Sequence, residues 1–372
     1  MKRIIVCCDG TWNKPGMMDR GQRVETNVEK IYKAVRTKDS GTRQVKFYGP
    51  GVGTSYAISE ILLGGGTGMG IDKNIQDAYK FLMWSYEPGD EIYMFGFSRG
   101  AYTVRSLAGF IRNCGIMKPE YLRLVPEAYH LYRDRTELTH PDCDTMRSFK
   151  QCYGIEAETP VTFIGVWDTV GALGIPLPSF NWWNKKYQFH DVKLSSQIKY
   201  AYHAIAMDER RRVFQPTLWE LTDGDSANGQ ICEQVWFPGS HGNVGGGYVD
   251  AGLSNIALSW MIDRAKEAGV EFDEEYVKQQ AGNAEGELRE SLNFVYRLFG
   301  QLVRKINDIA DGREERQKIK RNERIHLSCI KRYHLIEKYY PKNLELAVKK
   351  GADFDPVKDT WKPEWLEYLT DF

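Results

Sequence analysis

A serine hydroxyl attacks a carbonyl well only when a nearby imidazole takes its proton and a carboxylate holds that imidazole in place. Ser98 stands in the setting this chemistry needs. It lies in Gly96-Phe97-Ser98-Arg99-Gly100-Ala101, directly after the apolar run Glu91 to Phe95 and just before Val104, Leu107, Ala108 and Ile111 at helical spacing. Strand, G-x-S-x-G and helix in that order make a sharp turn that lifts the hydroxyl above the strand end. The backbones on either side come too close for a side chain, so the motif needs glycine two residues before and after the serine. The N–H of Arg99 and the positive end of the helix dipole meet at the same spot, so nucleophile and first oxyanion donor arrive together. In a chain with 35 glycines the motif can also arise by chance as a plain strand-to-helix turn. The flanking strand and amphipathic helix favour the elbow.

In this arrangement the chain order is serine, acid, histidine. Asp168 ends the run Val161 to Trp167, and His241 follows Val235-Trp236-Phe237-Pro238-Gly239-Ser240, ahead of Gly242 and Gly245 to Gly247. All three residues leave strands at their C-terminal ends, the rim where open α/β sheets bind ligands. Of the seven histidines, His203 is the rival base: Tyr202 to Arg210 reads as an apolar helix packed near the sheet, where a buried, hydrogen-bonded histidine is the plainer role. For Asp168 the plain reading is a strand-end cap, and Asp208 or Asp250 could take its place. The acid usually follows the second strand after the elbow, whereas a single strand is legible before Asp168. Either a strand is hidden there or the acid lies one strand early.

The second oxyanion donor is expected from the loop Asp9-Gly10-Thr11-Trp12-Asn13, through the N–H of Gly10 or Thr11, with Trp12 beside the pocket. The bland alternative is that Asp9 caps a turn. An aspartate-nucleophile phosphatase would also show Asp-Gly-Thr after a strand, but it needs a second aspartate where this chain has Cys7. Gly64 to Gly70 lacks the Gly-Lys-Ser/Thr ending of a phosphate-binding loop and is expected to be a loop or a turn into a helix beginning near Ile71. Phe97 and the aromatic segment containing Phe180, Trp182 and Trp183 are the candidate pocket or lid residues; a loop packed on the core is the other reading of that segment.

These residues need a frame to hold them. Short apolar runs at Arg3 to Cys8, Gln44 to Tyr48, Glu91 to Phe95, Val161 to Trp167 and Glu233 to Phe237 read as buried parallel strands. Helical segments alternate with them, among them Ile71, Ile75, Tyr79, Leu82, Met83 and Tyr86, closed by Pro88-Gly89-Asp90. The pattern predicts an α/β fold with a mostly parallel central sheet flanked by helices. Residues 1–257 are expected to form this core. Residues 258–372 are expected to be a helical C-terminal region, packed on the core or acting as a cap. Within it, Arg304 to Arg332 is rich in charge and reads as a solvated helix face, with a phospholipid-facing surface as the alternative.

With 50 basic and 50 acidic residues there is no overall field to draw the chain to nucleic acid. The 10 Trp and 21 Tyr leave aromatic surface for a greasy substrate. Seven cysteines without short paired spacing suit a reducing compartment and predict no zinc site. Neither a signal-peptide core nor a span of about 20 apolar residues is legible. The sequence-level expectation is a cytoplasmic protein, exported only by dedicated machinery, without metal or cofactor, in peripheral contact with a membrane at most.

Taken together, Asp9-Gly10-Thr11-Trp12-Asn13, Gly49-Pro50-Gly51-Val52-Gly53-Thr54, Gly96-Phe97-Ser98-Arg99-Gly100-Ala101, Trp167-Asp168-Thr169-Val170-Gly171, Asp208-Glu209-Arg210 and Phe237-Pro238-Gly239-Ser240-His241 resemble the α/β-hydrolase family that includes the catalytic domain of type VI secretion phospholipase effectors, family one. The matching segments run in order over about residues 3 to 250. The resemblance implies an α/β-hydrolase fold, a triad carried by Ser98, Asp168 and His241, and lipid esters as substrates. The expected function is cleavage of carboxylic esters through an acyl-enzyme, with activity rising through neutral pH as the imidazole loses its proton. An acyltransferase or thioesterase using the same triad, and a binding module that kept the fold without turnover, are the alternatives.

Overall fold

The computed structural model describes residues 1–11, 13–38, 41–51, 66–134, 136–170, 194–221, 229–291, 300–306 and 322–349, with backbone alone at 66–69 and 346–349. In chain order the strands are β1 Arg3–Cys8, β2 Met18–Asp19, β3 Gln22–Arg23, β4 Gln44–Gly49, β5 Glu91–Phe97, β6 Val161–Trp167, β7 Ile198–Ala206, β8 Ile231–Phe237 and β9 Glu323–Ile325. The helices are α1 Asn27–Ala34, α2 Gly66–Ser85, α3 Arg99–Cys114, α4 Val125–Asp134, α5 Asp144–Tyr153, α6 His241–Gly245, α7 Gly252–Glu267, α8 Glu274–Lys278, α9 Leu327–Leu335 and α10 Lys342–Lys349.

Seven strands form one sheet in the order β4-β1-β5-β6-β7-β8-β9, and every pairing in it is parallel. Such a sheet is covered on both faces, which is why its strands are continuous apolar runs. Side chains alternate across it. Ile4, Val6, Ile92, Met94, Ile164 and Val166 meet α2 and α3 through Ile75, Leu82, Val104 and Leu107 on one face. Ile5, Cys7, Phe95, Phe97, Phe163 and Trp167 meet Val28, Ile31, Leu258 and Met261 on the other. The fold is α/β-hydrolase-like, as the strand-helix alternation implies.

The chain goes from β1 outward to β4 on one side and then returns to place β5 on the other. The connections therefore diverge above the β1–β5 boundary, and such a switch point leaves a crevice at the strands' C-terminal ends. The register lines these ends up: Cys8 pairs with Gly96, and Phe97 with Trp167. Asp9, Ser98 and Asp168 thus leave three adjacent strands along one rim.

Several expectations change. His203 lies in strand β7, not in a helix; an unbroken buried apolar run carries no period that distinguishes the two. Helix α2 begins at Gly66, so part of the glycine-rich segment is its first turn. The C-terminal region also adds a strand, β9, to the sheet edge, and the boundary expected at 257/258 falls inside α7. Arg304 and Arg332, read as part of a solvated face, are buried; 307–321 lie outside the described residues. Among the described residues no helix is long and apolar enough to cross a membrane.

At the elbow the backbones approach too closely for a side chain. A Cβ on Gly100 would sit 2.5 Å from the Asp9 carbonyl oxygen and closer still to that of Cys8, while one on Gly96 would sit 2.5 Å from the Gly100 oxygen. Gly100→Ala therefore has to push α3 away from β1. A loss of about 2 to 3 kcal/mol is expected, to be read by urea unfolding; an unchanged midpoint would contradict this packing.

Candidate active site

Ser98 caps α3 with φ 56° and ψ −119°, a left-handed conformation that a non-glycine residue adopts only when its surroundings impose it. Asp168 also has positive φ, at 38°. Two neighbouring rim residues thus hold strained backbones, the kind of outlier that concentrates at functional sites. They are tied together directly, because the Ser98 N–H donates to the Trp167 carbonyl at 3.0 Å.

His241 joins them from the loop after β8, where Ser240 and Asn243 form a reciprocal capping box at the start of α6. Its Nδ1 lies 2.6 Å from Asp168 Oδ2. Its ring contacts those of Phe97 at 4.6 Å, tilted, and Phe214 at 4.9 Å, near perpendicular, between centroids. Phe97, expected at the pocket or lid, is buried beneath the imidazole. The His241 N–H donates to Glu209 Oε2 at 3.2 Å, and Glu209 is paired with Arg211 at 2.8 Å. Burial lowers the pKa of His241 and outweighs the opposing pull of Asp168. The imidazole is therefore neutral at neutral pH, as a general base must be.

Asp168 is fully buried, and burial alone would raise its pKa. The guanidinium of Arg304 and the hydrogen bond to His241 overcome this and hold its carboxyl far below the usual range. Arg304 donates to both oxygens, Nη1 to Oδ1 at 2.6 Å and Nη2 to Oδ2 at 3.0 Å. The Ala206 N–H adds a third bond to Oδ1 at 3.0 Å. Sequence reasoning missed Arg304, since one arginine in a basic stretch carries no local sign of where it will reach. Phe214 was missed as well, and Glu209 was named only within the motif Asp208-Glu209-Arg210, without a role.

The rival residues lie elsewhere. His203 Nε2 accepts the Thr169 N–H at 3.1 Å and its Nδ1 faces Gln234 Oε1 at 3.4 Å, so both nitrogens are engaged. Burial, with Arg105 nearby, pushes its pKa down to about 3. Asp208 accepts from the Gly239 N–H and the Tyr339 hydroxyl, each at 2.7 Å, and Asp250 accepts from the backbone of Gly252 and Glu287.

The loop after β1 also differs in detail from expectation. The Gly10 N–H, one of the expected oxyanion donors, donates instead to Asp9 Oδ1 at 2.7 Å. Asp9 is held further by Thr26 Oγ1 at 2.5 Å and the Tyr48 hydroxyl at 2.7 Å; burial nonetheless raises its pKa to about 6. Gly10 packs against Ser98, where a Cβ would come within 3.1 Å of the serine Cβ. Trp12, Phe180, Trp182 and Trp183 lie outside the described residues.

An α/β-hydrolase-like sheet with an elbow serine and an aspartate–histidine pair on one rim defines the class of protein. Residues 2–264 match the family described as T6SS, phospholipase effector Tle1-like, catalytic domain, and the chain belongs to that family. Uncharacterized protein YEL023C of Saccharomyces cerevisiae is 31% identical over 232 residues, covering 58% of this chain and 32% of that protein. The chain thus spans about a third of the length of this curated relative. A crystal structure of an uncharacterized protein from Pseudomonas aeruginosa aligns with TM-score 0.43 and 18% identity, over 74% of this chain and 47% of that one.

Proposed function

We propose that the chain is a serine hydrolase that cleaves carboxylic esters of lipids through an acyl-enzyme. Ser98 Oγ attacks the ester carbonyl carbon as His241 Nε2 takes its proton, Asp168 keeps the imidazole oriented through Nδ1, and the N–H groups of Arg99 and Thr11 receive the oxyanion. The intermediate collapses as His241 protonates the leaving alcohol. Water, deprotonated by the same imidazole, then releases the acid and regenerates Ser98. One observation carries this reading: the 2.6 Å Nδ1 to Asp168 contact commits that nitrogen to the carboxylate and leaves Nε2 to act as base, while the ring contact with Phe97, the residue before Ser98, holds the imidazole at the elbow. Membership of a family described as a phospholipase effector catalytic domain supports a lipid ester as substrate.

The test is a panel of p-nitrophenyl esters and phospholipid vesicles, with glycerol added as a competing acceptor. Release of fatty acid is expected; acyl glycerol as the main product would move the reading to acyl transfer, and no turnover of any ester would remove it. Because burial lowers the His241 pKa, the protonated, inactive form accumulates only below the ordinary imidazole range. The rise in kcat/KM is therefore expected below about pH 6.5, with a plateau above, not through neutrality. Asp9 titrates near the same interval, at about 6. Asp9→Asn, which should keep the rise, assigns it to His241; its disappearance in that variant would assign it to Asp9.

A further inference from the structure

The guanidinium of Arg304 binds more than a carboxylate. Nη1 donates to Asp168 Oδ1 and, at 2.7 Å, to the Ala206 carbonyl at the end of β7. Nη2 donates to Asp168 Oδ2 and to the Phe214 carbonyl. The ring of that same Phe214 is the edge-on wall against His241. One buried side chain therefore spans the end of β6, the end of β7 and the turn that confines the imidazole. Residues 2–264 match the family, so Arg304 reaches this rim from outside the matched segment.

We infer that Arg304 is a positioning residue of the catalytic site, fixing the Asp168 carboxylate and the Phe214 wall around His241, so that the C-terminal region completes the centre instead of appending to it. The inference rests on the serine hydrolase reading given above. Its physical basis is the planar fork: a guanidinium can hold both carboxylate oxygens in one plane while its outward N–H bonds tie down two backbone carbonyls, and an ammonium cannot. It also shares the Asp168 charge. Without it, an undiluted carboxylate 2.6 Å from Nδ1 would favour the imidazolium and keep the base protonated, and so inactive, to higher pH. Of the other groups at the site, Glu209 and Arg211 are paired with each other, and His203 is held uncharged on the β7 side by burial and by Arg105.

Arg304→Gln and Arg304→Lys in the full chain separate orientation from charge. Each is assayed on p-nitrophenyl butyrate from pH 5 to 9, with kcat counted per site titrated by a fluorophosphonate. For Arg304→Gln, kcat should fall about 100-fold, the cost of a misplacement near 1 Å. KM should stay within a factor of about 3, and the acid limb should move to higher pH. For Arg304→Lys, the limb should stay near that of the parent while kcat falls about 10-fold. Should the glutamine variant not fold, the lysine variant decides through the same readouts. Parent-like kcat per titrated site and an unmoved limb overturn the inference, even if melting falls, because a structural role alone would act through the number of active sites. Ser98→Ala run beside them keeps the two readings apart. Turnover surviving in Ser98→Ala would sink the hydrolase reading, whereas an inactive Ser98→Ala with parent-like Arg304 variants would sink only this one.

Discussion

Ser98→Ala is expected to lower kcat for ester hydrolysis by roughly 10⁴-fold or more and to abolish fluorophosphonate labelling. The substitution removes one oxygen and keeps the Cβ, so the left-handed backbone at φ 56° and the packing of Gly10 against that carbon persist. Unfolding free energy should stay within about 0.5 kcal/mol of the parent. The loss is then one of chemistry, with residual turnover from the oxyanion donors and from substrate binding. Ser98→Gly sharpens the contrast: it relieves the strain of a non-glycine residue at positive φ and is expected to stabilise the protein by about 1 kcal/mol while remaining as inactive. Undiminished labelling of Ser98→Ala would place the nucleophile elsewhere.

The strands and the elbow were legible because each is local: five apolar runs became strands β1, β4, β5, β6 and β8, and G-x-S-x-G turned where glycines permit a close crossing. Asp168 and His241 were legible as strand-end residues, though their pairing is a fact of sheet order. The doubt over a hidden strand closes with β5 bonded directly to β6, which puts Asp168 after the first strand beyond the elbow. Less was legible where structure depends on distant partners. Helix and strand were confused at His203 because full burial erases periodicity. The Gly10 N–H was expected to be free, yet Asp9 captures it within one residue. Arg304 lies 136 residues from its partner, and a long-range ion pair leaves no trace in local spacing.

Asp168→Asn should damage rate and stability at once, for separable reasons. The Oδ1 side faces two donors, the Ala206 N–H and Arg304 Nη1, while the Oδ2 side faces Arg304 Nη2 and His241 Nδ1. An amide has one acceptor, and it keeps most bonds by pointing its oxygen at the first pair. Its NH₂ group then meets His241 and donates to Nδ1, which forces the proton onto Nε2 and leaves no lone pair for the serine hydroxyl. A fall of about 10⁴-fold in kcat follows from the wrong tautomer. The same change strands a buried guanidinium without its counter-charge, at a cost of about 3 to 5 kcal/mol. Adding Arg304→Met removes that charge, so the double variant should recover most of the lost stability in urea unfolding while staying as inactive as Asp168→Asn. Stability would then respond to the pair and rate to the carboxylate. An Asp168→Asn protein within tenfold of parental kcat would show that some other group orients His241, and Glu209, bonded to its backbone N–H at 3.2 Å, would be the first to replace.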